Sequence, residues 1–303
     1  MTPARRQAIF EALESVRAHT DMAARREADP VGIVHRYADP AEQELVALLA
    51  ATLAFGNVKT IRQKLGDALE RLGSSLTETC VDASATRKRM KGFTHRVFVG
   101  DDVARLLAGA RDVQRRDGSL GAHFRRAYDA SGDLRLALGS MCTAIRDAGG
   151  LHANVGGRRG PAHLLPDPAA GSANKRMMLF LRWMIRPADG VDLGLWPLPT
   201  RILICPVDTH IHKLARNLGF TKRTDTSFRT AQEITAALAL FDPEDPVKYD
   251  FALCHLGMAQ RCPSRRDPVR CQGCGVLPVC RHWSPRDRRA SGTVHLLLTS
   301  PPR

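Results

Sequence analysis

Four cysteines stand within one short stretch, CPSRRDPVRCQGCGVLPVC, where Cys262, Cys271, Cys274 and Cys280 leave gaps of eight, two and five residues. Pro263, Pro268, Gly273, Gly275 and Pro278 lie between them, and no apolar period runs through the segment. Neither a helix nor a strand accounts for such spacing, so the order of this loop must come from what the thiols hold. Zinc asks for two close Cys pairs, or one pair matched by histidines, to close a tetrahedron. Here only Cys271 and Cys274 form such a pair. An iron–sulfur cubane offers a separate iron corner to each thiolate, and one tight pair with two spread singles suits it better. A 4Fe–4S cluster is the expected occupant and zinc the alternative. The remaining cysteines, Cys80, Cys142, Cys205 and Cys254, sit in apolar or mixed helical text and read as small buried hydrophobes.

The charge points the same way. The chain of 303 residues carries a formal net charge of +14, and such an excess speaks to partners with phosphate backbones. It is concentrated: from Arg261 to Arg289 there are eight arginines against Asp267 and Asp287. Arg265, Arg266 and Arg270 lie between the cysteines themselves and are the candidate phosphate contacts of the loop. With 44% hydrophobic residues the chain can bury a sizeable core, and its length suggests about two compact units. No run approaches the roughly 18 to 20 apolar residues that cross a bilayer. The charged opening, MTPARRQAIFEALESVRAHT, has no apolar signal segment, so a cytoplasmic protein without membrane partners is expected.

The elements that must position these residues are helices. Asp39-Pro40, with Glu42 placed for a capping box, opens a helix whose face is Leu45, Leu48, Leu49, Thr52 and Leu53. The pattern breaks at Phe55-Gly56-Asn57 and resumes as Val58, Ile61, Leu65, Leu69 and Leu72 before Gly73. Further helices are expected over 101–116, 119–130 and 132–148. The glycine-rich stretch 149–161 reads as a connector. Pro166 and Pro168 then forbid helix, Ser172 can cap the next one, and Met177 to Ile185 is apolar almost all round, hence buried. After the extended RILICPV, Asp208 caps THIHKLARNLG, and helices over 229–240 and 244–258 lead into the cysteine loop. The tail, 286–303, is basic and is expected to fray.

Three stretches resemble the iron–sulfur, endonuclease III-like branch of the helix-hairpin-helix DNA glycosylases. KYDFALCHLGMAQRC followed by the four-cysteine spacing resembles that family's last helix and cluster loop, although the first gap is longer here. CPVDTHIHKLARNLGF is similar to its VDTH helix, which places Asp208 on the catalytic aspartate. Asp is also a good N-cap, and both roles are compatible: negative charge is favourable at a helix N-terminus and suits a stabiliser of a cationic sugar. LLPDPAAGSANKRMM corresponds loosely to the family's leucine-proline-glycine hairpin. Its tight glycine pair is missing, but Lys175 falls where the bifunctional members carry their lysine, and the helix start near Ser172 remains a phosphate site. Two readings of Lys175 stay open: a Schiff-base nucleophile, or a phosphate contact on one stripe with Arg182 and Arg186. AATLAFGNVKTIRQKL looks like the family's early helix-turn-helix, with Asn57 at the turn that wedges into a duplex.

The resemblance implies an all-α protein with two helical domains and a cleft between them. One is a helical barrel over 40–204 with a degenerate helix-hairpin-helix; the other joins 1–39 to 205–285 and holds the cluster. It implies a monomeric DNA glycosylase, with or without lyase activity, that flips a damaged or modified base out of duplex DNA. Two alternatives accompany it: a catalytically inactive nucleic-acid-binding protein of the same fold, and a zinc-stabilised binding domain.

Overall fold

The computed structural model describes residues 1–152, 160–263 and 265–283. They are mostly helical, and the one β-pairing among them joins Thr94–His95 to Phe98–Val99, antiparallel. The chain forms two compact units. The first combines Met1–Ala28 with the chain from Pro199 onward; the second is Asp29–Leu198. The tail expected over 286–303 lies outside the described residues, as does 153–159 of the connector. Among the described residues no helix is long and apolar enough to cross a membrane. The first unit opens with α1 (Pro3–Ala18) and α2 (Met22–Ala28).

In the second unit, α3 (Val31–Val34) packs on α4 (Pro40–Leu53), the central helix, which is buried from Glu44 to Leu53. Asp39 caps α4 by accepting from the Ala41 N–H at 3.0 Å, and Pro40 occupies its first position. Glu42 does not complete the expected capping box. Its carboxylate reaches away and accepts from the backbone N–H groups of Leu76 and Thr77, both at 2.9 Å, thereby holding the start of α6 (Leu76–Thr79). Burial pushes the Glu42 carboxyl up, but the hydrogen bonds from Thr77, Ser75 and Leu76 outweigh it and hold it below the ordinary glutamate value. Between α4 and α6 runs α5 (Val58–Leu72), which stops at Gly73 with φ 93° as the periodicity predicts. After α7 (Ala83–Arg89) come α8 (Gly100–Asp117), α9 (Leu120–Ser131) and α10 (Leu134–Gly149). The α8–α10 contact is a close backbone approach: a Cβ on Gly109 would collide with the Ile145 carbonyl, and one on Gly149 with the Arg105 carbonyl. The short α11 (Gly160–Leu164) leads through the 3₁₀ turn Pro168–Ala170 to α12 (Lys175–Ile185), which packs on α4.

The first unit resumes with α13 (Thr209–Leu218), α14 (Phe228–Ala239) and α15 (Asp250–Ala259). The last begins later than the expected 244. Asp242 accepts from the N–H groups of Glu244 at 3.1 Å and Asp245 at 2.9 Å. Pro246 then disfavours a helical Asp245, so this stretch turns instead. α15 packs on both α1 and α13, and it ends with Arg261 in the left-handed region (φ 44°), directly before Cys262.

Candidate functional site

Asp208 is the N-cap of α13. Its Oδ1 accepts from the backbone N–H groups of His210 and Ile211, both at 2.8 Å. That leaves Oδ2 as the oxygen available to chemistry, and the Cys254 thiol donates to it at 3.3 Å from the packed α15. Cys254 is therefore not simply the buried hydrophobe its surrounding text suggests; it is half-buried and fixes the plane of the carboxylate. Cys80, Cys142 and Cys205 are buried, and burial pushes the first two thiols up to about 12.

At the other end of α13, about 14 Å along the axis at 1.5 Å per residue, lies the cysteine loop. Cys262, Cys271, Cys274 and Cys280 line a single small cavity walled by Leu214, Val276, Leu277 and Trp283. Asn217, on the last turn of α13, donates to Cys262 Sγ at 3.4 Å and shares a 2.9 Å hydrogen bond with His282 through its Oδ1. Arg5 of α1 donates to the carbonyls of Leu218 and Val279, both at 3.1 Å, tying the helix end to the 3₁₀ turn Leu277–Val279. Burial, reinforced by Cys280 and Cys271, pushes the Cys262 thiol up to about 11 against the opposing Asn217 and Lys213. Burial likewise lifts Cys274 to about 12, with the other three thiols adding to it. Among the described residues no three His, Cys, Asp or Glu side chains are gathered closely enough to hold a single metal ion; the thiols surround a cavity instead of converging on a point. Four thiols around one cavity, Cys274 and Cys280 buried and Cys262 and Cys271 half-buried, are a donor set that an iron–sulfur cluster fits, because each iron corner can take one thiolate.

The basic side chains frame this cavity. Arg265, Arg266 and Arg270 are all exposed. Arg266 lies over the Trp283 ring at 4.5 Å, and Arg270 faces Asp267 at 3.6 Å. On the outer face of α13, Lys213 and Arg216 are exposed as well.

The second unit holds the remaining sequence candidates. Lys175 is the first residue of α12 and is half-buried; its Nζ donates to the Ala54 carbonyl at 3.4 Å. Beside it, Arg176 donates to the Thr52 carbonyl at 2.8 Å and lies over the Phe98 ring, and burial pulls its guanidinium down to about 10. The two cations thus close the carbonyl end of α4, where orphan acceptors require donors. Ser172 is not the cap of α12. Asn174 holds that position with φ 48° and makes no side-chain cap bond, while Ser172 Oγ accepts from the Asn174 N–H at 3.3 Å. The helix start is consequently left without a side-chain acceptor.

Arg182 is not a phosphate contact. It is 1% exposed and pairs with buried Asp192 at 3.0 Å; Arg186 is also buried and pairs with Asp189 at 2.9 Å and with Asp192. The stripe fails because α12 is enclosed nearly all round, and its partner Asp192 comes from the following loop. Asn57 caps α5, its Oδ1 accepting from Lys59 N–H at 2.9 Å and Thr60 N–H at 3.4 Å. The exposed ring at that turn is its neighbour Phe55, 41% exposed with the Arg96 guanidinium 5.8 Å from the ring centre. An aromatic before Gly-Asn was the available signal. No local signal marked Asn217, His282 or Cys254, whose roles depend on contacts between distant segments.

No curated protein and no solved structure matches the chain. One family does, over residues 29–259. That span takes in the whole second unit and the first unit through α13, α14 and α15, stopping just short of Cys262. The chain belongs to the family described as protein of unknown function DUF2400.

Proposed function

We propose that the protein is an iron–sulfur nucleic-acid base glycosylase, with Asp208 as its essential carboxylate. The observation that carries this reading is the single helix α13, which holds a carboxylate capped and oriented at one end and abuts the four-thiol cavity at the other. Cleaving a glycosidic bond leaves positive charge on the sugar; a fixed carboxylate offsets that charge as it develops. The base departs with the bonding electrons and takes up the proton that the nucleophile releases; C1′ is taken by water or by the Lys175 amine, and in the second case the sugar ring then opens at C1′–O4′, with O4′ protonated, to give a Schiff base. Cys262, Cys271, Cys274 and Cys280 would hold the cluster, which supplies structural rather than bond-breaking chemistry in this reading. Arg265 and its neighbours in the loop would face phosphates.

Incubation with oligonucleotides carrying a panel of damaged bases, and with abasic strands, under borohydride tests the assignment. Base release with a trapped adduct that disappears in Lys175→Ala supports the lyase form; release without an adduct supports a water nucleophile. Tight binding with no release from any substrate sinks the enzyme reading. It leaves a nucleic-acid-binding protein as the second reading, which the start of α12, free of a side-chain cap and so open to a phosphate, supports.

The cluster has its own test. Protein purified without oxygen is expected to be brown, to carry about four irons per chain, and to lose both in Cys274→Ser. Colourless protein with one zinc per chain would overturn it.

A further inference from the structure

The thiol cavity shares a wall with a second, larger pocket. Asn217 and His282 line both, and beyond them a pocket of about 330 Å³ opens, ringed by Lys213, Arg216, Lys222 and Arg281. Among the described residues no carboxylate lines it. Several exposed or partly exposed cations of the same unit are paired: Lys248 with Glu14 and Asp242, Arg223 with Asp225, Arg201 with Glu244. The four cations of this pocket have no ion pair among the described residues. They come from three separate segments: α13, the loop after Gly219, and the residues following Cys280.

Their convergence is costly unless something negative sits among them, since like charges on a concave surface repel. Glu233 accepts the Thr221 hydroxyl at 2.7 Å without lining the pocket itself. The helix end does not oppose an anion either. Carbonyls at the C-terminus of α13 would repel one, but Arg5 donates to the Leu218 carbonyl at 3.1 Å and Arg281 donates to that of Gly219 at 3.4 Å. Arg281 is placed by its own backbone, whose N–H donates to the Asn217 carbonyl at 2.9 Å. The volume is within the range of pockets that enclose a small ligand, and an Arg-rich rim suits the fork geometry of phosphate oxygens.

We propose that this pocket binds a phosphate group, at the end of α13 opposite Asp208, in contact with the wall that positions Cys262. The proposal deepens the nucleic-acid reading and rests on it only for the source of the phosphate. It assigns Lys213, Arg216, Lys222 and Arg281 a role separate from the loop arginines between the cysteines. A strand phosphate held there would set register relative to Asp208; a free phosphate would act as a ligand of the cluster end of the helix.

The test uses the full chain and two probes at constant ionic strength: inorganic phosphate by calorimetry, and an oligonucleotide without terminal phosphates by anisotropy. The double variant Arg216→Ala/Lys222→Ala removes two exposed cations, and thermal unfolding checks that it folds. It is expected to weaken inorganic phosphate at least tenfold, whereas the triple variant Arg265→Ala/Arg266→Ala/Arg270→Ala leaves that affinity unchanged. If the strand is the source, the double variant also lowers the slope of log affinity against log salt by about one. An unmoved slope with lost phosphate binding upholds the pocket and assigns it to free phosphate. Unchanged phosphate affinity in the double variant, or chloride competing as well as phosphate, overturns it. Neither probe requires excision, so a protein that excises nothing can still show the pocket. One that excises normally while the double variant binds phosphate as well as wild type loses the pocket alone.

Discussion

Asp208→Asn is expected to reduce base excision by about 10³-fold while leaving folding and nucleic-acid affinity in place. The geometry separates the two roles of this residue. Oδ1 is committed to the His210 and Ile211 N–H groups at 2.8 Å each, and an asparagine oxygen makes the same bonds. Asn caps a helix about as well as Asp, so α13 and the Asn217–Cys262 contact at its far end stay put. What changes is Oδ2. It becomes an amide NH₂ that neither offsets a cationic sugar nor accepts the Cys254 thiol proton. Single-turnover excision measured beside thermal unfolding separates the outcomes. Equal activity at equal stability would make Asp208 a helix cap and nothing more; lost activity together with a large fall in melting temperature would mean that the substitution had broken the fold.

Glu44→Ala is expected to destabilise the second unit by about 3–5 kcal/mol, because it strips the acceptor from several buried neutral donors at once. Glu44 is 3% exposed, and its two oxygens accept four hydrogen bonds. Trp196 Nε1 donates at 2.7 Å and the Gly121 N–H at 3.0 Å to Oε1; Gln114 Nε2 donates at 2.8 Å and the Leu120 N–H at 2.9 Å to Oε2. One side chain thereby ties α4 to the end of α8, the start of α9 and the loop before residue 198. Alanine leaves the Trp196, Leu120 and Gly121 donors without an acceptor and Gln114 Nε2 with only the Ala41 carbonyl, and each orphan carries a desolvation penalty of about 1–3 kcal/mol before relaxation. The fall in melting temperature should be about 10 °C or more for a unit of this size. Glu44→Gln keeps one acceptor oxygen and should lose less. Urea titrations of the three proteins decide it. A loss below about 1 kcal/mol for Glu44→Ala would mean that water replaces the carboxylate, and that the network is not what holds these helices together.

These two residues also divide what could be read along the chain from what could not. Asp208 was legible because a helix cap is local: a carboxylate, two N–H groups two and three residues on, and an apolar period behind them. The same locality made Asp39, Asn57, Gly73 and the ranges of α8, α9 and α10 readable. It misled where a good local candidate was outcompeted, as when Ser172 lost the start of α12 to Asn174, or when Asp242 and Pro246 turned the chain that was expected to begin α15.

The amino-acid sequence by itself determined the helical content, the caps, the segregation of cysteine and arginine into one loop, and the resemblance they carry. Only the tertiary structure decided which polar groups face the interior. Glu42 and Glu44 stand two apart on one helix, yet the first holds α6 and the second reaches Trp196, 152 positions away. Arg182 looked like a surface cation until Asp192 met it in the core, and Cys254 looked inert until α15 set it against Asp208. The reason is energetic. Caps and periods are satisfied within a few residues, whereas the environment of a buried charge or thiol depends on which distant segment excludes water from it and supplies its partner.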